Sequence, residues 1–208
     1  MRFRESGMPP QDYWETLFDV PAILDRFGFG ATTGDVAELG CGYGTFTLPL
    51  AERIAGRVFG IDLDPNMVAT TQGRAKGAGR SNVQVALRDV LRDGFGVPPE
   101  SCDAVLLFNI LHGEEPVAVL RTARDIVRPG GRVAVIHWRS DIATPRGPSA
   151  EIRPGPEQIL RWAEAAGGLA LGGPAFILPP WHFGVDFQKA EPARKKSGSA
   201  LSSSTCPT

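Results

Sequence analysis

The chain has 208 residues, 42% hydrophobic and 22% charged, with a formal net charge of -1. That length suits one globular domain with a short extension, and the near-zero charge gives no long-range pull toward phosphate backbones or anionic membrane, so no nucleic-acid partner is expected. No apolar run of about 18 residues exists and Met1 to Pro10 lacks the apolar core of a secretion signal, so a cytoplasmic protein without a membrane span is expected. Three scattered cysteines, Cys41, Cys102 and Cys206, offer neither a disulfide framework nor paired zinc-ligand spacing, and no metal is expected.

Gln11 to Phe27 sets Trp14, Leu17, Phe18, Ile23, Leu24 and Phe27 at roughly helical spacing. Pro21 in its middle predicts a kink or two short helices, because proline removes a backbone donor and crowds the preceding turn. Residues 1–30 read as a helical extension on the edge of the core; alternatively, Tyr13 and Trp14 roof a site. Val36 to Leu39 then reads as a buried strand, and Gly40, Gly42 and Gly44 form a turn that lets another molecule lie against bare backbone. The helix after it has Phe46, Leu48, Leu50, Ala51 and Ile54 on one side, and Pro49 fits only in its first turn. Strand, glycine turn and helix in that order place a nucleotide-binding crevice at the carboxyl end of a parallel strand.

A second strand, Val58 to Ile61, ends at Asp62, and Asp64 with Pro65 marks a helix start. An acid there, about 20 residues beyond the glycine turn, is placed to accept from both hydroxyls of a ribose; its alternative is a second cap for the same helix. Asn82 to Leu87 is a third strand, with Asp89 at its exit either accepting from an adenine amine or capping a short helix. Asp103 to Phe108 is a doubly covered central strand that exits into Asn109, Ile110, Leu111 and His112. The next helix carries Val119, Ala123, Ile126 and Val127 on one face and is expected to stop at Pro129-Gly130-Gly131, before a fifth strand from Arg132 to Trp138. Arg139 to Pro156, roughly 18 residues rich in Pro, Gly and charge, is longer than connections inside a compact domain usually are and reads as a lid or substrate loop. A helix over Glu157 to Ala166 and an antiparallel pair, Ala175 to Leu178 with Phe183 to Phe187, close a domain placed at 31–189. Ala190 to Thr208 is expected to be disordered, with Cys206 an incidental exposed thiol.

Together these residues resemble the class I S-adenosylmethionine-dependent methyltransferases, and among them the small-molecule branch that includes the ubiquinone and menaquinone methyltransferases. The resemblance runs from about Val36 to Gln188. Glu38 to Gly44 looks like the first motif, Asp62 like the ribose-binding acid, Arg88-Asp89-Val90 like the adenine-side motif, Asn109 to His112 like the fourth and Arg128 to Gly131 like the turn that follows. It implies an α/β, Rossmann-like, doubly wound sheet of seven strands in the order 3-2-1-4-5-7-6, with strand 7 antiparallel. It also implies S-adenosyl-L-methionine as cofactor, a small-molecule methyl acceptor, and leaves a homodimer open.

The cofactor-binding set implied is Glu38, Gly40, Cys41, Gly42, Gly44, Asp62, Leu63, Met67, Asp89, Val90, Asn109 and Ile110. In the family's manner Glu38 would hold the methionine ammonium through water, and the Asn109 carbonyl would lie near the methionine end. His112 and His137, at strand exits, are the candidates for a general base if the acceptor carries a proton of high pKa; the alternative for each is a structural hydrogen bond. Tyr13, Trp14, Trp138, Arg139, Trp181 and His182 are the candidate acceptor contacts, and Arg139, Arg146 and Arg153 would suit an anionic group on it. Two rival classes remain. A nicotinamide-dependent oxidoreductase is disfavoured by Thr45, which stands where the dinucleotide fingerprint has its last glycine. A non-catalytic S-adenosylmethionine-binding regulator would keep every cofactor motif.

Overall fold

The computed structural model describes residues 8–191. The expectations for residues 192–208, including disorder and an exposed Cys206, lie outside them, as do residues 1–7. The proline in the first amphipathic stretch does separate two helices, α1 (Gln11–Glu15) and α2 (Val20–Arg26). Pro21 falls in the first turn of α2, where its missing N–H costs nothing, and Asp19 caps the helix by accepting from the Ala22 N–H at 3.1 Å.

Among the described residues eight strands form one sheet: β1 (Val36–Leu39), β2 (Val58–Asp62), β3 (Val83–Leu87), β4 (Cys102–Phe108), β5 (Val127–Trp138), β6 (Leu169–Leu171), β7 (Phe176–Leu178) and β8 (His182–Lys189). Their order is 3-2-1-4-5-8-6, with β7 also paired to β8. The first five are parallel and β8 runs antiparallel to β5. The helices between them are α3 (Thr47–Arg53), α4 (Pro65–Gly77), α5 (Val90–Asp93), α6 (Pro116–Ile126) and α7 (Pro156–Ala166).

Alternation along the central strands assigns side chains to two apolar layers. Val105 and Leu107 of β4 and Val133 and Val135 of β5 join Leu120, Ala123, Ile159 and Ala163 of α6 and α7. Ala104, Leu106 and Phe108, with Ala134, Ile136 and Trp138, join Ile23, Leu24, Leu50 and Ala51 of α2 and α3. The N-terminal helices are therefore part of the second layer: Leu24 and Ile23 are as buried as the strands they cover.

The expected sheet order with its antiparallel strand beside β5 is found; that strand is numbered β8 here because the edge strand beyond it is broken in two. β6 pairs with one end of β8 (Leu169 opposite Lys189) and β7 with the other (Phe176 opposite Gly184), interrupted at Gly172-Gly173-Pro174, where proline has no N–H for the ladder. One expectation is corrected: α6 ends at Ile126, earlier than expected. Val127 already pairs with Cys102, and Pro129-Gly130-Gly131 is an irregularity inside β5, after which pairing resumes with Arg132 opposite Ala104. A side chain at Gly131 would stand 2.7 Å from the Asp103 carbonyl, so the irregularity needs a glycine there.

Candidate active site

Gly40, Gly42 and Gly44 all adopt left-handed φ angles, of 75°, 54° and 77°. A side chain would strain each of these conformations. Their roles differ. Gly40 and Gly42 face a cavity of about 530 Å³. Gly44 instead turns inward, where a Cβ would strike Leu48 and crowd Thr71, so it sets the packing of the turn against α3 and α4. The Thr71 hydroxyl donates to the Gly42 carbonyl at 2.7 Å and fixes the turn from behind.

Asp62, at the end of β2, is held on both sides. One oxygen accepts from the Gly42 N–H at 2.9 Å and the other from the Asp64 N–H at 3.0 Å. The two readings of this aspartate are thus compatible: it ties the glycine turn to the start of α4, and each oxygen keeps a lone pair for a ligand hydroxyl. Asp64 itself caps α4 through the Asn66 N–H. Leu63, Pro65 and Met67 continue this wall of the cavity.

Glu38 is buried in the cavity floor and accepts from the Thr47 hydroxyl. Burial pushes its carboxyl up to about 8; the Asp62 charge acts the same way and the Thr47 hydrogen bond opposes it. Cys41 also lines the cavity, and burial pushes its thiol up, so it is an unreactive wall atom. At the far side Asn109 takes a left-handed φ of 58°, a conformation asparagine tolerates, and its N–H donates to the Ile136 carbonyl at 2.8 Å.

The cavity fits a sulfonium nucleoside on one structural ground. Asn109 Oδ1 and Thr45 Oγ1, both on lining residues, are buried without a partner among the described residues. An unpaired buried oxygen costs about 1–3 kcal/mol, and an ammonium or hydroxyl donor would remove that cost. Glu38 and Asp62 add two carboxyl groups to the same space, which suits a cationic ligand that also carries a diol.

A second cavity, of about 460 Å³, shares His112 with the first. Leu111, Glu151, Gln158 and Trp162 form much of its wall, under the loop that follows β5. Arg153 organises that loop. Its guanidinium donates to the Pro148, Arg139 and Arg146 carbonyls and the Thr144 hydroxyl, at 2.7–3.2 Å. This guanidinium is a tether, with four of its five N–H donors spent on the chain. Arg153→Met should therefore raise the rate of proteolytic cleavage within 139–155 several-fold while the melting temperature moves little; limited proteolysis with mass mapping reads both the site and the rate.

The predicted residues divide. Glu38, Gly40, Cys41, Gly42, Asp62, Leu63, Met67, Asn109, Ile110, His112 and Trp14 meet at the first cavity. Asp89 and Val90 do not line it: Asp89 caps α5 by accepting from the Leu91 N–H at 3.1 Å, and Val90 is buried in the first layer. Among the acceptor candidates, Trp138 and His182 lie in the interior, His182 stacked on Phe18 at 4.6 Å and 4.1 Å from Trp138, because their places on β5 and β8 face α2. Burial drives the His182 imidazole down to about 3, so it is neutral. Trp181 packs on the same layer, Tyr13 is exposed, and Arg139 pairs with Asp141 at 2.6 Å. Thr45, Phe46, Phe108 and Met8 line the cavity without having been singled out. Thr45 and Phe46 directly follow the glycine turn, which was a usable signal; Met8 and Phe108 carried none.

Sheet order, left-handed glycines and an anchored acid at the second strand's tip define a nucleoside-binding α/β domain of Rossmann-like class. Residues 36–131 match the family model of a methyltransferase domain. Aklanonic acid methyltransferase of Streptomyces sp. is 33% identical over 106 residues, covering 49% of this chain and 47% of that protein. Nocamycin O-methyltransferase of Saccharothrix syringae is 35% identical over 105 residues, covering 49% and 36%. The chain thus spans less than half the length of these two relatives. A solved S-adenosylmethionine-dependent methyltransferase from Aquifex aeolicus superposes with a TM-score of 0.76 at 23% identity, over 86% of this chain and 94% of that one, and shares the fold. Residues 36–131 are thus similar to a methyltransferase domain, on a fold shared with a solved S-adenosylmethionine-dependent methyltransferase. No cluster of three or more potential metal ligands occurs among the described residues, and no described helix is long and apolar enough to cross a membrane.

Proposed function

We propose that this chain transfers a methyl group from S-adenosylmethionine to a small-molecule acceptor, with 31–189 as the working unit. The observation that carries the reading is the cavity in which Gly40 and Gly42 present bare backbone beside an Asp62 carboxylate already tied to that backbone. When bound, the cofactor supplies a methyl on a positively charged sulfur, a group activated before the protein touches it. The chain's work is then to orient and to exclude water. Asp62 would hold the ribose hydroxyls, Leu63 and Met67 the adenine face, and Glu38 and Asn109 the charged amino-acid end.

Support for a small molecule comes from the second cavity, which shares His112 with the first and is walled by an indole, a glutamine and a glutamate. Aklanonic acid and nocamycin methyltransferases, the relatives described above, are named for small molecules. The net charge of -1 argues against a nucleic-acid acceptor. A cytoplasmic location and a homodimer belong to the same reading, and fractionation and light scattering check them.

Calorimetry tests the core of the proposal. S-adenosylhomocysteine should bind in the micromolar range and NAD should give no measurable heat; equal or preferential binding of NAD would overturn the assignment. Asp62→Ala should weaken S-adenosylhomocysteine by about 1–3 kcal/mol, the cost of hydroxyls buried without a partner. An unchanged affinity would remove Asp62 from the ribose contact.

A further inference from the structure

The glycine turn is fixed from α4, and Tyr43 passes that order on toward the N-terminus. Thr71 and Arg74 stand one turn apart on α4: Thr71 holds the Gly42 carbonyl, and Nη1 of Arg74 donates to the Tyr43 carbonyl. The second hydrogen of the same nitrogen goes to Glu15 Oε1 at 2.8 Å, at the end of α1. The Tyr43 hydroxyl in turn donates to the Pro9 carbonyl at 2.8 Å. Residues 9–15 are thus tied at both ends to one residue of the turn, directly at Pro9 and through Arg74 at Glu15. The ties bring Met8 and Trp14 to the first cavity, which both line. The Met8 methyl lies 3.3 Å from the point where a Cβ on Gly42 would stand. α1 needs these ties. It has five residues, none of them buried, and Pro10 ahead of it makes no side-chain cap. A helix that short does not hold in water on its own, and Trp14, edge-on to Phe18 at 4.9 Å, adds its packing on the second layer.

We infer that Tyr43, Arg74 and Glu15 are positioning residues: they hold residues 8–15 on the glycine turn so that Met8 and Trp14 complete the wall of the nucleoside cavity. None of the three lines the cavity itself, so each acts only through the segment or the turn that it holds. The inference rests on the methyltransferase reading for the identity of the ligand, and on the hydrogen bonds alone for the ties. A ligand that touches Met8 and Trp14 binds the docked segment better than the released one, and by linkage it stabilises docking by the same factor. Cutting a tie lowers the docked fraction, and the apparent affinity falls with that fraction. The cofactor site therefore depends on Glu15, a half-exposed carboxylate whose own contacts are Arg74 and Gln11 and not the cavity.

The test uses the full chain, with hydrogen exchange read over residues 11–17 and calorimetry with S-adenosylhomocysteine. Tyr43→Phe removes only the hydroxyl and with it the tie to Pro9. Glu15→Ala cuts the other tie and leaves Arg74 its bond to the Tyr43 carbonyl. Without ligand, both variants should exchange the Trp14, Thr16 and Leu17 amides, which donate within this segment, several-fold faster than the unaltered protein. S-adenosylhomocysteine should slow that exchange in the unaltered protein and bind each variant about 3- to 10-fold more weakly, the scale of one hydrogen bond. A purely structural role would lower the melting temperature and leave exchange over 11–17 indifferent to the ligand, which overturns the inference. Unchanged exchange in both variants overturns the ties. Equal affinity in all three proteins removes the positioning role alone and leaves the methyltransferase reading standing. If S-adenosylhomocysteine fails to bind even the unaltered protein, that reading and the positioning role fall together.

Discussion

S-adenosylmethionine binding near neutral pH should release protons into the buffer, and the Glu38→Gln protein should release none and bind about 10- to 100-fold more weakly, the scale of one charge-assisted hydrogen bond. Glu38 is 2% exposed, and its carboxyl, pushed up to about 8, is mostly protonated at neutral pH before a ligand arrives. A cation entering the cavity favours the ionised form, and the proton leaves. Calorimetry in two buffers of different ionisation enthalpy counts the protons. Equal heats in both buffers would place the cation out of reach of Glu38. The same shift has a consequence for the ligand-free protein. A carboxyl raised from 4.5 to about 8 on folding contributes stability that is fully present below about 4.5 and is lost as pH rises to about 8. Relative to the unaltered protein, Glu38→Gln should therefore gain stability above about pH 8, on the order of a few kcal/mol, and the gain should shrink toward about pH 5.

Gly56→Ala should cost more than about 3 kcal/mol, enough to leave much of the chain unfolded. A Cβ there would overlap the backbone carbon and oxygen of Gly34 and the nitrogen of Asp35, none of which can swing away as a side-chain end can. The same crossing is tied by the Gly56 N–H to Thr33 and by the Gly34 N–H to Asp103, so relief by sliding would break both bonds. Because this junction sets how β2 lies against β1, it also sets the span between Asp62 and the glycine turn. Gly73→Ala is the natural contrast. It sits within α4 with open space where its Cβ would go, and alanine should stabilise that helix by up to about 1 kcal/mol. Chemical denaturation of the two variants should move in opposite directions; equal behaviour would show that the crossing is looser than described.

Legibility varied along the chain for physical reasons. The glycine turn, Asp62 and the Asp64-Pro65 start of α4 could be read because each is a local device: a left-handed φ, an acid at a strand tip, a cap with proline behind it. The side on which an aromatic points could not. β5 is apolar on both faces, so alternation gives two sets without saying which meets which layer. His137 and Trp138 are neighbours and face oppositely, one to His112 and the other to Phe18. Trp138 was thus misplaced as an acceptor contact while His137 lies beside His112. Arg153 read as an anion site because charge in a loop is ambiguous; only the carbonyls gathered around it show a tether. The split edge strand was half visible, since β7 and β8 were expected, whereas β6, three residues with two of them exposed, left almost no apolar pattern.

The most direct measurement is a crystal structure of the full chain with S-adenosylhomocysteine. The ribose hydroxyls should lie within hydrogen-bond reach of Asp62 and the amino-acid end beside Glu38 and Asn109, over Gly40 and Gly42. A nucleoside lodged instead under the 139–155 loop, with the glycine turn bare, would contradict that placement outright.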